Sequence, residues 1–552
     1  MKKMLVLAVA AAVATTVMAA TKVRVVANEA DKAYPGWENA YPSVAEAVAA
    51  LTDNGSSANM NEILIAPGTY NITEMIQIPW YWTRIRSAKL ENVEEEDPEN
   101  TILDGGGTTS IMKWTGDNTY VSGLTFANGF STNKTVDAES YAAAIKVGGH
   151  YGLISNCVFR GNASFNTAGT CINSNYRIRT VVSGCTFTNN TQTITAATGA
   201  LRGCAIRINS GAPSSEANYP RIENCYFADN RVHGNQTVGS VLYATYTTID
   251  NCTFEDNEFT PGENVTDCLG MYVYLAAGCP AIKNCRFSGR TAYPGSQYLN
   301  GSHLYVNSAD CIVSNCTFSG IDEVVGDRQS GAVYVNASGV KFISCSFTNN
   351  VYHGENSLWG TALLCQSADA KNMLLRNCLF GDNTLSNRIA LIQQTTMTAS
   401  PVGFTLENCT LADSEVDKYN ADKIITQSGS TCTNYMANCV FAARVKFDAP
   451  AIASNCCFKL PPPNWYKNPS GNITTNNCFS ADTWNGFKFV DYANGDYHLQ
   501  PKSPLCDKGM MLDWMTAGAT DLDGNKRVHL DLPDIGCYES QYSPLGLLLL
   551  FR

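Results

Sequence analysis

The stretch NCVFRGN at Asn156–Asn162 returns as NCYFADN at Asn224–Asn230, NCTFEDN at Asn251–Asn257 and NCLFGDN at Asn377–Asn383. Asn-Cys occurs ten times, from Asn156-Cys157 to Asn477-Cys478, and near copies of the longer motif surround Cys185, Cys285, Cys316, Cys345, Cys409 and Cys439. Between Cys157 and Cys439 the step from one cysteine to the next runs from 27 to 40 residues and averages about 31. A period of that size marks one supersecondary unit stacked many times.

Inside each unit the pattern alternates. Leu153, Ser155, Cys157 and Phe159 interleave with Ile154, Asn156 and Val158, the segment is rich in Val, Ile, Thr and Phe, and Gly, Asn and Asp punctuate it. Period two selects strand over helix. Upstream of most cysteines lies a second short strand of small residues followed by an aliphatic-polar-aliphatic triplet, as in SGAVYVN (Ser330–Asn336), GCAIRIN (Gly203–Asn209) and SHLYVN (Ser302–Asn307). A βαβ solenoid would need an amphipathic helix per repeat, and a leucine-rich repeat its own Leu and Asn spacing; neither pattern is present. The expectation is an all-β solenoid.

The Phe-x-x-Asn segments at Phe159–Asn162, Phe187–Asn190, Phe254–Asn257 and Phe347–Asn350, beside the small-residue segments Gly203–Ile206 and Ser330–Val333, resemble the repeats of chlamydial polymorphic outer-membrane proteins. That resemblance covers roughly residues 100 to 480 and implies a right-handed parallel β-helix. Tyr41-Pro-Ser-Val-Ala-Glu-Ala-Val48 followed by Glu62-Ile-Leu-Ile-Ala-Pro-Gly-Thr-Tyr70 is similar to the cap helix and first strand that open pectate-lyase-like, or pectin-lyase-like, helices. From about Lys488 the runs Tyr497-His498-Leu499, Ser503-Pro504, Asp507-Lys508-Gly509, Thr520–Arg527 and Asp534–Glu539 resemble the choice-of-anchor Q domain of bacterial surface proteins, which implies anchoring to the cell envelope.

Lys2 and Lys3, an apolar run from Met4 to Val17, and Ala19-Ala20 read as a Sec-type signal peptide. The expected organisation is a signal peptide at 1–20, an N-terminal cap and first coils at 21–100, β-helix repeats at 101–487, the anchor-like segment at 488–542 and an apolar tail at 543–552. The tail, Ser543-Pro-Leu-Gly and then four Leu, Phe551 and Arg552, is too short to span a bilayer and reads as a sorting signal or an apolar terminus. The compartment expected is extracellular or cell-surface.

Net charge is -11 and 16% of residues are charged, so there is no basic footprint for nucleic acid. Twenty-two cysteines in an exported chain ordinarily suggest disulfides. One cysteine per coil at an inward position instead makes a stack whose Cβ vectors run parallel, which suits a packed thiol ladder better than bridges. The disulfide candidate is Cys506 with Cys537, both outside the ladder. Asn162, Asn190, Asn230, Asn257, Asn350 and Asn383 are expected at coil corners, where Asn tolerates left-handed backbone and bonds its neighbours along a stack. Asp229, Asp256, Asp382 and Asp413 read as turn residues before calcium ligands. No Cys-x-x-Cys occurs and the six histidines, His150, His233, His303, His353, His498 and His529, lack metal-ligand spacing, so no metal or cofactor is expected.

Many β-helices cleave polysaccharides, but no Gly-x-Ser-x-Gly, His-Glu-x-x-His or phosphate loop is present, nor the Asn-Thr-Asp and Gly-His-Gly signatures of polygalacturonase-type sequences. Arg177, Arg179 and Arg207 lie in neighbouring coils, with Arg207 facing outward and no carboxylate cluster beside them. One outward ladder stands apart. Aligning the inward aliphatic pairs places Tyr243, Tyr272, Tyr305 and Tyr334 in one row and Tyr274, Asn307 and Asn336 in the next. Aromatic faces flanked by amides suit sugar rings, whereas a strand face covered by a loop is the plainer reading. The expected function is glycan binding or adhesion at the bacterial surface, with a polysaccharide or cell-surface glycan as partner. The alternatives are a polysaccharide lyase or hydrolase and a structural spacer.

Overall fold

The computed structural model describes residues 21–542 apart from 133–141, 176, 178, 196–200, 235, 263–266, 290–298, 325–329, 354–359, 366–371, 386–390, 395–401, 413–424, 428–432, 442–445, 448–449, 460–472 and 482–483. The chain winds as a single-stranded right-handed parallel β-helix with three long walls. The first wall has 16 strands, from Lys22–Val25 to Ile473–Asn476; the second has 15, from Gly68–Asn71 to Phe479–Ser480; the third has 13, from Ile76–Ile78 to Lys446–Phe447. One coil illustrates the path. Leu153–Ser155 lies in the first wall, Asn156-Cys157 turns the corner, Val158–Arg160 lies in the second wall, Gly161-Asn162 turns again, Ala163–Phe165 enters a short five-stranded sheet, and Ile172–Asn175 lies in the third wall.

The repeated motif is the chemistry of two corners. Asn156, Asn224, Asn251, Asn315 and Asn377 all take positive φ, from 49 to 56, a region Asn tolerates better than other side-chain-bearing residues. The turn throws the following cysteine inward, so the thiols form their row at the bend and not on a strand. Cys157, Cys252 and Cys378 are at most 1% exposed free thiols, and each donates to the carbonyl two residues back, at 3.2, 3.3 and 3.3 Å. Burial pushes the Cys252 thiol well above its ordinary pKa, keeping it protonated.

The second corner differs from expectation in one respect. Its left-handed residue is the one before the ladder asparagine, namely Gly161, Asn189, Asp229, Asp256, Asn349 and Asp382. This accounts for Asp229, Asp256 and Asp382 as turn residues; Asp413 lies outside the described residues. Asn162, Asn190, Asn230 and Asn257 themselves are fully buried. Each of the first three donates its Nδ2 to the next Oδ1, at 3.0, 2.9 and 2.9 Å. Between the corners, Phe126, Phe159, Phe187, Phe227 and Phe254 stack with centroids 4.6 to 5.1 Å apart. A fully buried Phe is worth about 1.5–3 kcal/mol over an exposed one, so this row is a main source of core energy.

At the start, helix α1 (Val44–Ala49) covers the first coils with Val44, Ala47 and Val48, and Ser43 caps it by accepting from the Glu46 N–H at 3.2 Å. At the other end residues 489–542 lie along the outside of the second wall. They cover Leu379, Ala412, Val440 and Cys457 and pack Phe489, Tyr497, Leu505, Ile535 and Cys537 against them. Corner asparagines hold this strap. Asn377 Nδ2 donates to the Thr520 carbonyl at 2.7 Å, Asn408 to Asp534 at 3.2 Å, Asn438 to Met510 at 2.8 Å and Asn455 to Lys508 at 2.9 Å. Within the strap Arg527 is wholly buried, its guanidinium on Glu539 Oε2 at 2.8 Å and on the Asp534 and Gly536 carbonyls.

The expected Cys506–Cys537 bridge is not formed, and both are free thiols. Cys537 is buried against the wall, with its backbone N–H on Thr410 Oγ1 at 3.0 Å, while Cys506 is half-buried and lines a cavity with Lys508, Asp534 and Ser540.

Candidate functional site on the third wall

Strand register assembles one outward row along the third wall. Gln77, Lys113, Lys146, Asn173 and Arg207 are paired in succession, followed by Tyr243, Tyr274, Tyr305 and Tyr334. A glycine with positive φ sits four residues before each member from Asn173 to Tyr305: Gly169, Gly203, Gly239, Gly270 and Gly301. These glycines are required. A Cβ on Gly239 would lie 2.4 Å from the Leu242 carbonyl oxygen and 2.9 Å from Tyr274 Cβ, and one on Gly270 2.5 Å from the Val273 oxygen and 2.9 Å from Tyr305 Cβ.

This register corrects the tyrosine alignment. Tyr243 pairs with Tyr274 and not with Tyr272, because Leu242 pairs with Val273. Tyr272 points into the core, 0% exposed, with its ring 5.0 Å from His303 and its hydroxyl donating to the Ser288 carbonyl at 3.3 Å. The glycine-to-tyrosine spacing carried the correct register, whereas Met271, Val273 and Leu275 are all inward, so the aliphatic pairs admitted a slip of two residues.

The four rings of the true row stack at 5.6, 4.7 and 4.7 Å. They are not an open platform. Tyr243, Tyr305 and Tyr334 are 6%, 6% and 7% exposed, and only Tyr274 is half-buried. A short four-stranded sheet built from Leu201–Arg202, Gln236–Val238, Asp267–Leu269 and Leu299–Asn300 runs beside them. Val238 and Leu269 pack on the rings, and the Arg202 guanidinium lies 4.6 Å over Tyr243. Burial pushes the Tyr334 hydroxyl up to about 12. What remains at the surface is the edge of the stack. Beside Tyr274, Asn336 Nδ2 donates to Asn307 Oδ1 at 3.0 Å, both amides half-buried.

The neighbouring stretch of the row is cationic. Lys113 and Arg207 are half-buried and Lys146 is 9% exposed. Arg207 Nη1 donates to Asn173 Oδ1 at 3.2 Å, and Asn173 is anchored through the Ala168 carbonyl at 3.1 Å. Arg202 joins this stretch to the tyrosines. Of the sequence candidates, Arg207 is thus brought into the row, Arg177 is half-buried nearby in the chain and Arg179 is an exposed turn residue with φ 54. Sequence reasoning missed Lys113 and Lys146. Their triplets Met112-Lys-Trp114 and Ile145-Lys-Val147 carry the same in-out-in pattern as Leu242-Tyr-Ala244, and that was the available signal. Among the described residues no three His, Cys, Asp or Glu side chains converge as a metal site.

A family model described as Chondroitinase B matches residues 57–266. Among curated proteins no sequence matches. Among solved structures, the chain is similar to pectate lyase Pel9A (11% identity, 95% of this chain and 97% of that one, TM-score 0.25). It is also similar to alginate lyase AlyF-OU02 in complex with G6 (11%, 77% and 86%, TM-score 0.31) and to PfbA, a surface adhesin of Streptococcus pneumoniae (12%, 79% and 86%, TM-score 0.28).

Proposed function

We propose that the protein is an exported bacterial surface β-helix that binds an acidic polysaccharide along the third wall. Lys113 and Arg207 take its anionic groups, the buried Lys146 adds to the positive field between them, and Tyr274, Asn307 and Asn336 offer a ring edge and amides to the sugar beyond. The observation that carries this reading is the shared register of three cations in a chain of net charge -11. Rungs recur at about 4.8 Å, so an extended polymer meets them repeatedly and each contact contributes little. The signal-peptide pattern at 1–20 and the likeness of residues 488–542 to anchor domains support a place at the cell surface.

A second reading is a lyase acting on the same class of polymer. It is favoured by one observation, that the Chondroitinase B match spans Lys113, Lys146, Arg202 and Arg207. One campaign separates the two. A uronate-rich polysaccharide should bind more tightly than a neutral one of equal length, and the difference should shrink with salt. Lys113→Ala with Arg207→Ala should lower the affinity about tenfold, as expected for two partly exposed charge contacts. Ultraviolet absorbance of an unsaturated product during the incubation would establish cleavage. Equal binding of acidic and neutral polymers by parent and variant would refute the site.

A further inference from the structure

One short strand of the strap, Asp496–Leu499, sends alternate side chains in opposite directions. Tyr497 and Leu499 are buried on the second wall, and the Tyr497 hydroxyl donates to Asp382 Oδ1 of the corner beneath it at 2.8 Å while accepting from the Asp382 N–H at 3.2 Å. His498, between them, points the other way and is half-buried. Its ring lies between carboxylates from two parts of the strap, with Nδ1 2.6 Å from Asp496 Oδ1 and Nε2 2.6 Å from Asp523 Oδ2. Asp496 belongs to the hairpin formed with Phe489–Asp491. Asp523 belongs to a turn organised by the buried Asp521, whose Oδ1 accepts from the Asp523 and Asn525 N–H groups at 3.1 and 2.8 Å and whose Oδ2 accepts from the Glu539 N–H at 2.9 Å.

An ionised carboxylate only accepts hydrogen bonds, and a neutral imidazole carries one N–H and one acceptor nitrogen. Both contacts are satisfied together only by the imidazolium. Loss of its proton sets a nitrogen lone pair against an anionic oxygen. The Asp496 contact is local, because the His498 backbone N–H donates to the same Oδ1 at 3.0 Å; the contact that gives way is the one to Asp523, between hairpin and turn. The other groups around the ring do not replace the proton. Asp491 lies across the hairpin from Asp496, Asp521 lies at the base of the Asp523 turn, and the Tyr538 ring, 4.0 Å from the imidazole between centroids, is kept protonated by burial. Lys526 pairs its backbone with Thr520, and Arg527 is engaged by Glu539. Partial burial pulls the His498 pKa down, but the hydrogen bonds to Asp523 and Asp496 outweigh it and hold the pKa above 6.5.

We propose that His498 is a pH-operated clasp of the strap: protonated, it ties the 489–499 hairpin to the 521–525 turn, and deprotonated, it lets the two move apart. Its contribution is fully present below about pH 6.5 and is lost as the pH rises through the raised pKa of the folded chain. The clasp is independent of the glycan site on the third wall.

Two measurements on the full-length protein test it. In NMR titration of protein with carbon-13-labelled histidine, the His498 signal, identified by its loss in His498→Gln, should have a midpoint above 6.5. Hydrogen exchange at pH 5.5 and 8.5, compared as protection factors so that the intrinsic pH dependence cancels, should show residues 489–499 and 519–526 less protected at the higher pH. The drop should be about threefold or more, the effect of one surface hydrogen bond, with the coils around Cys157 to Cys316 unchanged. Asp523→Asn should abolish the drop, because its amide can donate to the neutral ring. Should that variant fail to fold, His498→Gln carries the comparison and should show no drop either. A midpoint at or below 6.5, equal protection of the parent at both pH values, or a parent-sized drop in the variant would each overturn the clasp.

Discussion

His303 shows how a single side chain reports the interior of a solenoid. It is 0% exposed, stacked between Tyr272 and the rings of Phe287 and Phe318. Burial pushes its pKa from 6.5 down to about 3, against a smaller opposing pull from the Gly289 backbone. Above about pH 6.5 the imidazole is neutral in folded and unfolded chains alike and pH has no leverage through it. Between about 6.5 and 3 the unfolded chain takes up a proton that the folded chain refuses, so stability falls as the pH is lowered, by at most about 1.4 kcal/mol per pH unit. His303→Phe should flatten this part of the stability curve. Thermal melts of parent and variant at pH 7, 5.5 and 4.5 check it: the gap between them should widen toward acid in favour of the variant.

At the scale of the element, the third-wall strands are set by the glycine four residues ahead of the outward side chain. A side chain at Gly270 meets two obstacles at once, a φ of 63 and a Cβ position 2.5 Å from the Val273 oxygen. Gly270→Ala should therefore lower stability by about 1–2 kcal/mol from the backbone conformation alone, with more from the forced displacement of Tyr305. Urea unfolding gives the first quantity, and a change in tyrosine fluorescence under native conditions would register the disturbed stack. An unchanged midpoint would mean that the strand pairs in another register. The same strands explain why the rings are no sugar platform: the segment before each glycine folds back as a side sheet and covers the aromatic faces it precedes.

For the molecule as a whole, the strap is the element whose attachment is most separable from the coils. Asn438 holds it by two side-chain bonds, Nδ2 to the Met510 carbonyl at 2.8 Å and Oδ1 from the Met510 N–H at 2.7 Å, and by its backbone carbonyl, which accepts from the Gly536 N–H at 2.9 Å. Asn438 also turns its corner at φ 55, so Asn438→Gly keeps the turn while removing both side-chain bonds. The strap should lose about 1–3 kcal/mol of local stability. Hydrogen exchange should accelerate in residues 505–542 and leave the strands around Cys157 to Cys316 as they are. Acceleration spread evenly through the coils would show that strap and solenoid unfold together.

The Asn-Cys repeat determined the parallel solenoid, its period and the inward row of thiols and phenylalanines. These follow from local rules: alternation sets the buried face, and Asn or Gly marks each left-handed corner. The covering of the second wall was written locally only in part: the residue after Asn-Cys is Leu379, Val440 and Cys457 where the strap lies but Thr410 there as well, and Val158 and Tyr226 hold the same position elsewhere. Two things were decided only by the tertiary structure, and a third, the strand register, was settled there although the glycine spacing already carried it. The slip that placed Tyr272 beside Tyr243 still leaves an aliphatic pair inward, so alternation alone did not exclude it; the pairing of Leu242 with Val273 did, and Tyr272 turned into the core. The burial of the tyrosine row depends on a side sheet assembled from segments about thirty residues apart. The union of Lys113, Lys146 and Arg207 in one row depends on coils of unequal length returning to the same register on successive rungs, a property of stacking that no single repeat contains.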